Sequence, residues 1–392
     1  MDYMTNVWKL YAIRFFHNLI PAYVIERLFW EQRGMTIQMV IYTEIIYAVT
    51  IVLLEIPTGI IADRWSRKKM MVLNAVLGCL EFLILIFATE FWHFAIVVFL
   101  AGVGRSASSG SENALLYDSL LLNDDAQSFE KCLGRLNFSD FTAAILAALC
   151  GSLLASRYGF ELNYWISLAG MSVSLCLSLT LMEPVVQSNT DESIAIKDYV
   201  RTSIGFFRKN PSVSLILLSG MVTGSALNFI DEFWQIYISR LGIPVIYFGL
   251  FSAAIMFLRL PGNIFAYIVK KHFSYKTLLS GIVFIFTIGF LYLWVAKGLT
   301  SLIAIFLICT FSGLMEPIVA GYLHHKIDSS MRATLDSFQS LGLRVVVIIV
   351  GLGFGFFSSR FDIFGGYGFI SLICGVFFVY FLVSYRSIVE DE

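Results

Sequence analysis

Long apolar runs, broken by brief clusters of charge, dominate the chain. A helix that crosses a bilayer needs about 20 mainly apolar residues. Runs of that kind fall near residues 7–30, 37–62, 69–88, 93–117, 134–157 and 161–183. A second series falls near 211–239, 246–269, 276–296, 299–325, 334–358 and 365–386. The pattern predicts an all-α membrane protein with twelve transmembrane helices in two six-helix bundles. The longest polar stretch, 184–210, follows Glu183 and ends at Asn210-Pro211. It would serve as a cytoplasmic linker between an N-terminal bundle, 1–183, and a C-terminal bundle, 211–392. Between Ser193 and Lys209, Ile196, Val200, Ile204 and Phe207 recur at helical spacing. That spacing suits a short amphipathic helix at the membrane surface, and equally a solvated linker.

Composition agrees with a membrane-embedded chain. Of 392 residues, 58% are hydrophobic and 14% charged, against about 25% charged in soluble domains. The mean hydropathy of +0.79 would leave a soluble protein covered in apolar patches. A net charge of −1 gives no basic field for nucleic acid. The six cysteines are scattered, with no CxxC and no Cys/His cluster, so neither a disulfide framework, a metal site nor a cofactor is expected. The N-terminus lacks a clean apolar core with a small-residue cleavage site, and is read as a retained first helix.

Loop charge sets the expected orientation, because cytoplasmic loops collect Lys and Arg. With the N-terminus inside, seventeen cations fall in cytoplasmic segments, among them Lys9, Arg64, Arg67, Lys68, Lys69, Lys131 and Arg135. Six fall outside: Arg27, Arg33, Arg157, Arg240, Lys297 and Arg360. Both termini are therefore expected in the cytoplasm. An internal repeat supports the two halves. Leu54-Glu55-Ile56-Pro57 corresponds to Leu258-Arg259-Leu260-Pro261 at an offset of 204, and Ser109-Gly110 to Ser312-Gly313 at 203. Two matches at nearly one offset fit a duplicated six-helix unit.

The most specific local signal is Gly59-Ile60-Ile61-Ala62-Asp63-Arg64-Trp65-Ser66-Arg67-Lys68, at the end of the second helix. Gly59 permits close helix approach, Asp63 can accept from a helix N-terminus, and the basic cluster anchors the loop at the inner surface. Here the chain resembles the major facilitator superfamily, whose hallmark between helices two and three is G-x-x-x-D-R-x-G-R-[RK]. Every defining position matches except the inner glycine, which is Ser66. The resemblance implies pseudo-twofold symmetry between the halves and a conformational latch in the outward-facing state. Asp63 would meet the start of helix eleven near Arg332-Ala333-Thr334, and Arg67 or Lys68 would pair with Asp118. The segments Glu55-Ile56-Pro57-Thr58-Gly59 and Ala114-Leu115-Leu116-Tyr117-Asp118 look like those of bacterial drug-efflux permeases. Two features depart from that pattern. The second hallmark, Asn263-Ile264-Phe265-Ala266-Tyr267-Ile268, has lost its Asp and Arg. The G-x-x-x-G-P-x-x-G-G of drug–proton antiporters is replaced in helix five by Ala143, Ala147-Ala148 and Gly151-Ser152.

Ionisable residues inside the spans form the next clue, since each costs about 2.5–3.5 kcal/mol or more at the bilayer centre unless paired or hydrated. Arg14 and His17 share a face of helix one, and Arg105 and Glu112 a face of helix four. Asp140 lies in helix five, Asp231-Glu232 in helix seven, Glu316 in helix ten, and Asp336 and Arg344 in helix eleven. Asn228 and Gln235 extend a polar stripe through Asp231. Glu55 and Arg259 occupy equivalent repeat positions with opposite sign, so Arg344 for Glu55 and Asp140 for Arg259 are possible partners. Glu81 and Glu44 are read as structural. Glu112, Asp231 and Glu316 lead as proton- or cation-binding carboxylates, followed by Asp140. Phe15, Phe16, Tyr23, Phe233, Trp234 and Tyr237 could wall a cavity for hydrophobic or cationic compounds, although aromatics also favour the membrane interface.

By resemblance the chain is expected to be a monomeric, multi-pass protein of the plasma membrane, in bacteria the inner membrane. It would carry a small-molecule substrate by alternating access, coupled to protons, with export the favoured direction. No G-x-x-x-x-G-K-[ST] is present to bind ATP. The alternatives are a proton-coupled importer or narrow carrier of a lipid, siderophore or peptide, and a non-transport membrane enzyme or sensor. His17, His93, His272, His324 and His325 are too dispersed to form a catalytic cluster.

Overall fold

The computed structural model describes residues 3–108, 111–184, 210–326 and 332–390, with the side chains of 55–65, 324–338 and 386–390 outside the description. Every regular element in the described residues is helical. Helices α1 (Met4–Asn18), α2 (Glu26–Gln32), α3 (Ile37–Trp65), α4 (Arg67–Ile86), α5 (Phe91–Ser108) and α6 (Ser111–Leu121) open the chain. They are followed by α7 (Phe129–Tyr158), α8 (Glu161–Leu179), α9 (Pro211–Arg240), α10 (Phe248–His272), α11 (Tyr275–Ala296), α12 (Ser301–Lys326) and α13 (Arg332–Glu390). Ten helical stretches among the described residues are long and apolar enough to cross a membrane.

One of the expected spans is built differently. The first, expected as one helix over 7–30, is broken: α1 ends at Asn18, a short 3-10 turn covers Pro21–Val24, and α2 follows. Pro21 has no N–H to donate, so helix cannot run through it with its ladder intact. Backbone freed inside a bilayer must find partners within the protein, and α8 supplies them. Asn163 Nδ2 donates to the Pro21 carbonyl at 3.0 Å and to the Gly151 carbonyl at 2.9 Å. The Ala22 N–H donates to Ser167 Oγ at 3.1 Å. Gly151 lies so close beneath the break that an added Cβ would meet the Pro21 carbonyl and Val24.

The last two spans, expected as separate helices over 334–358 and 365–386, follow one another with a break between them. Helix α13 runs 59 residues, but Phe361 (φ −128°, ψ 22°) and Asp362 (φ 55°, ψ −171°) are non-helical and divide it into segments 332–360 and 363–390. Asp362 caps its own break: Oδ1 accepts from the Ile363 N–H at 2.8 Å, and Oδ2 from Arg240 Nε at 2.8 Å.

The chain divides into two compact units, Met1–Thr190 with Ile243–Ala253, and Asp191–Gly242 with Ala254–Glu392. The first has an aliphatic core in which Leu10 and Ile13 of α1 meet Leu115, Leu116 and Leu120 of α6 and Leu136 of α7. The second has an aromatic core. Phe229 stacks on Phe354 at 4.6 Å between centroids, and the Tyr367 hydroxyl donates to the Phe229 carbonyl at 3.3 Å. The expected amphipathic segment Ser193–Lys209 lies outside the described residues.

Candidate functional site

In the first unit, Arg14 Nε donates to Glu112 Oε1 at 2.7 Å, and its Nη1 pairs with Asp140. Asn18, one turn further along α1, donates to the second Asp140 oxygen at 2.9 Å and to the Arg14 carbonyl at 3.0 Å. The three charged side chains are 17–24% exposed. One guanidinium thus holds carboxylates from two other helices. His17 makes no hydrogen bond among the described residues, and the exposed Arg105 no ion pair.

In the second unit, Arg259 of α10 closes on Asp231 of α9 with both prongs: Nη1 to Oδ2 at 3.2 Å, and Nη2 to Oδ1. These contacts correct one expected pairing, that of Asp140 with Arg259, because Asp140 is taken by Arg14 and Arg259 by Asp231. Each arginine is paired with a carboxylate of its own unit. The expected partner of Arg344, Glu55, has its side chain outside the description.

Arg259 also lines a cavity of about 660 Å³ formed by α9, α10, α11, α12 and α13. Its wall carries Thr223, Asn263, Ser312, Glu316, Gln339 and Ser340, with Met315, Phe286 and Leu343 among the apolar residues. Glu316 is exposed and has neither ion pair nor hydrogen bond among the described residues. Small residues place this wall: a Cβ on Gly262 would lie 2.8 Å from the Gly313 backbone, and one on Gly313 would strike the Arg259 carbonyl. Helices α10 and α12 therefore cross with their backbones in contact, which brings Arg259 and Glu316 to one cavity.

A third group lies at the α3–α4 junction. Arg67 pairs with Asp118 of α6, and its Nη1 also donates to the Ala114 carbonyl at 3.0 Å. Glu183 caps the first turn of α4. Its carboxylate accepts from Ser66 Oγ at 2.5 Å, from the Arg67 N–H at 2.9 Å and from the Lys68 N–H at 2.8 Å. Ser66 stands where the hallmark has glycine, yet its φ of 163° is extended backbone open to any residue, and its hydroxyl accepts from the Lys69 N–H at 3.2 Å. The side chains of Asp63 and Arg64, with Gly59 on the same stretch, lie outside the description.

The expected aromatic wall is largely core. Phe233 packs on Phe354 at 5.0 Å, and Tyr237 on Tyr367 at 5.3 Å with its hydroxyl donating to the Leu293 carbonyl at 3.0 Å. Four residues apart on α9, both follow the face turned to the aromatic cluster of α13. Trp234 and Gln235 are buried, and neither they nor Asn228 lines the 660 Å³ cavity. In the first unit Phe15 and Phe16 meet edge to face at 5.6 Å, and Tyr23 is 47% exposed. Sequence reasoning missed Asn18, Asn263, Gln339 and Glu183. Asn18 was signalled by its position four residues after Arg14, and Glu183 by a charge at the edge of the linker.

The family model of the Major Facilitator Superfamily matches residues 10–351. The chain belongs to the major facilitator superfamily. With ten helical stretches among the described residues long and apolar enough to cross a bilayer, it is a multi-pass membrane protein. Among curated relatives, the multidrug resistance protein MdtG of Citrobacter koseri is 25% identical over 228 residues, 57% of this chain and 52% of that protein. The multidrug resistance protein MdtH of Photorhabdus laumondii subsp. laumondii is 28% identical over 170 residues, covering 40% of this chain and 41% of that one. The chain thus spans about half the length of these curated relatives. The crystal structure of the nucleoside transporter NupG superposes with a TM-score of 0.78 at 12% identity, covering 98% of this chain and 100% of that one. The superposition shows that the major facilitator fold is shared.

Proposed function

We propose that this superfamily member is a proton-coupled secondary transporter that exports small hydrophobic or cationic compounds by alternating access. The observation that carries this reading is Glu316, a carboxylate without a cation partner among the described residues, on the wall of a 660 Å³ cavity. A carboxylate in that position can hold a proton or a cationic compound, but not both at once, and such competition couples two fluxes in opposite directions. Glu112, Asp140 and Asp231 already hold arginines, and we assign them to the charge network that supports the path. Relatives named as multidrug resistance proteins favour export. In this reading the two halves, joined by the cytoplasmic linker 184–210, alternate around the substrate path. Gly59, Asp63, Arg64, Arg67 and Lys68 form the latch with Asp118, and the excess of loop cations puts both termini in the cytoplasm. The transporter works as a monomer in the bacterial inner membrane.

A second reading, inward carriage of a hydroxyl-rich solute, is favoured by the amide and hydroxyl groups of Asn263, Gln339, Ser312 and Ser340 on the same wall. Inside-out vesicles separate the two. Uptake of a fluorescent cation that needs a pH gradient, and is lost in Glu316→Gln with the protein still inserted, is the expected result. Gradient-driven uptake that persists in Glu316→Gln overturns the coupling role. Absence of any cation uptake, with concentration of a labelled nucleoside in right-side-out vesicles, moves the conclusion to import.

A further inference from the structure

Away from the charged trio, the first unit carries a groove of about 350 Å³ between α1 and α7. Trp8, Tyr11 and Phe15 form one wall at helical spacing, and Arg135, Phe138, Ser139 and Thr142 the other. The two helices run parallel here, since Ser139 Oγ donates to the Tyr11 carbonyl at 3.3 Å while Arg14 meets Asp140. Two of the aromatic residues are exposed, Trp8 on α1 at 66% and Phe138 on the candidate span of α7 at 72%.

The groove has more hydrogen-bond donors than it can satisfy. Both hydroxyls of the α7 wall are used internally, Ser139 on Tyr11 and Thr142 on the Phe138 carbonyl at 2.8 Å. The Tyr11 hydroxyl, by contrast, is buried with no hydrogen-bond partner, although Cys132 and Arg135 lie beside it. Arg135 is exposed and has no ion pair among the described residues. Lys131, one turn earlier on α7 and also exposed, adds a second cation to that face. Glu130 precedes Arg135 by five residues, which turns it about 140° away around the helix.

We infer that this groove binds an anionic phospholipid, with its phosphate on Arg135 and the Tyr11 hydroxyl and its first methylenes along Trp8, Phe15 and Phe138. An anion answers the two open donors, and an acyl chain covers aromatic surface that a free phosphate would leave bare. The inner surface, where loop cations place this end of both helices, is also where anionic lipids attract basic side chains.

The test is native mass spectrometry of the full-length protein in neutral detergent, incubated with equal amounts of dioleoyl phosphatidylglycerol and dioleoyl phosphatidylcholine. Wild type should retain the glycerol lipid preferentially. Arg135→Gln should lower that retention about fivefold, the factor for one cation near an anionic headgroup. Arg135→Lys should keep most of it, and Tyr11→Phe should weaken it further when combined with Arg135→Gln. Phe138→Ala, at an exposed position with no folding role, should reduce retention of the same lipid independently. Equal retention of both lipids by wild type, or retention unchanged in the double variant, overturns the inference. Displacement of the lipid by inorganic phosphate at matching concentration would show a free-anion site and overturn the lipid assignment.

Discussion

In the first unit one guanidinium, Arg14, is shared by Glu112 and Asp140, whereas in the second Arg259 closes on Asp231 alone and Glu316 stands apart. The two units also repair broken spans by different means. The break at Pro21 is patched by a neutral amide, Asn163, while the break at Asp362 is patched by a charge, Arg240. The second contrast follows burial. Asn163 is fully buried, where an amide costs less to desolvate than an ion. The Arg240 and Asp362 side chains are 32% and 40% exposed, where an ion pair costs little. The lesson is that the paired charges are tied to neighbouring helices, whereas Glu316 lies on a cavity wall with no ion pair among the described residues.

The strongest way to break this comparison is Arg14→Ala. It leaves two carboxylates, about four-fifths buried, without the guanidinium they share. Loss of one member of a buried ion group costs about 3–5 kcal/mol, so the unfolding midpoint should fall steeply. Adding Asp140→Asn and Glu112→Gln should recover much of it. If Arg14→Ala is as stable as wild type, the trio is not framework. Next comes Asn163→Ala, which leaves the Pro21 and Gly151 carbonyls without their donor, at about 1–3 kcal/mol for an unsatisfied buried group. Arg240→Ala should be the mildest, about 0–1 kcal/mol for a half-exposed pair. A reversed order of these last two, read by thermal unfolding in detergent, would sink the link between burial and the kind of repair.

Much of this architecture was legible beforehand because a membrane span announces itself by length and hydropathy alone. The boundaries of α3, α8, α9 and α11 lie within a few residues of the apolar runs. The broken first span was not, since Pro21 reads as tolerable within a hydrophobic stretch until its carbonyl has to find Asn163 some 142 residues away. Charged positions were legible as a set, being rare in apolar runs. Their partners were not, because repeat symmetry relates positions and says nothing about which side chains touch. Asp140 and Arg259 were matched on that basis, yet each found a nearer partner on an adjacent helix. The aromatic wall failed for a related reason. Phe233 and Tyr237 share a face of α9, but periodicity alone does not say whether that face meets a cavity or the aromatic residues of α13.

Glu183 has a mechanical consequence. Its carboxylate is joined by three hydrogen bonds to residues 66–68, and the next residue, Pro184, opens the segment leading towards α9. The joint fastens the chain just after α8 to the first turn of α4, at the same junction that holds Arg67 against Asp118.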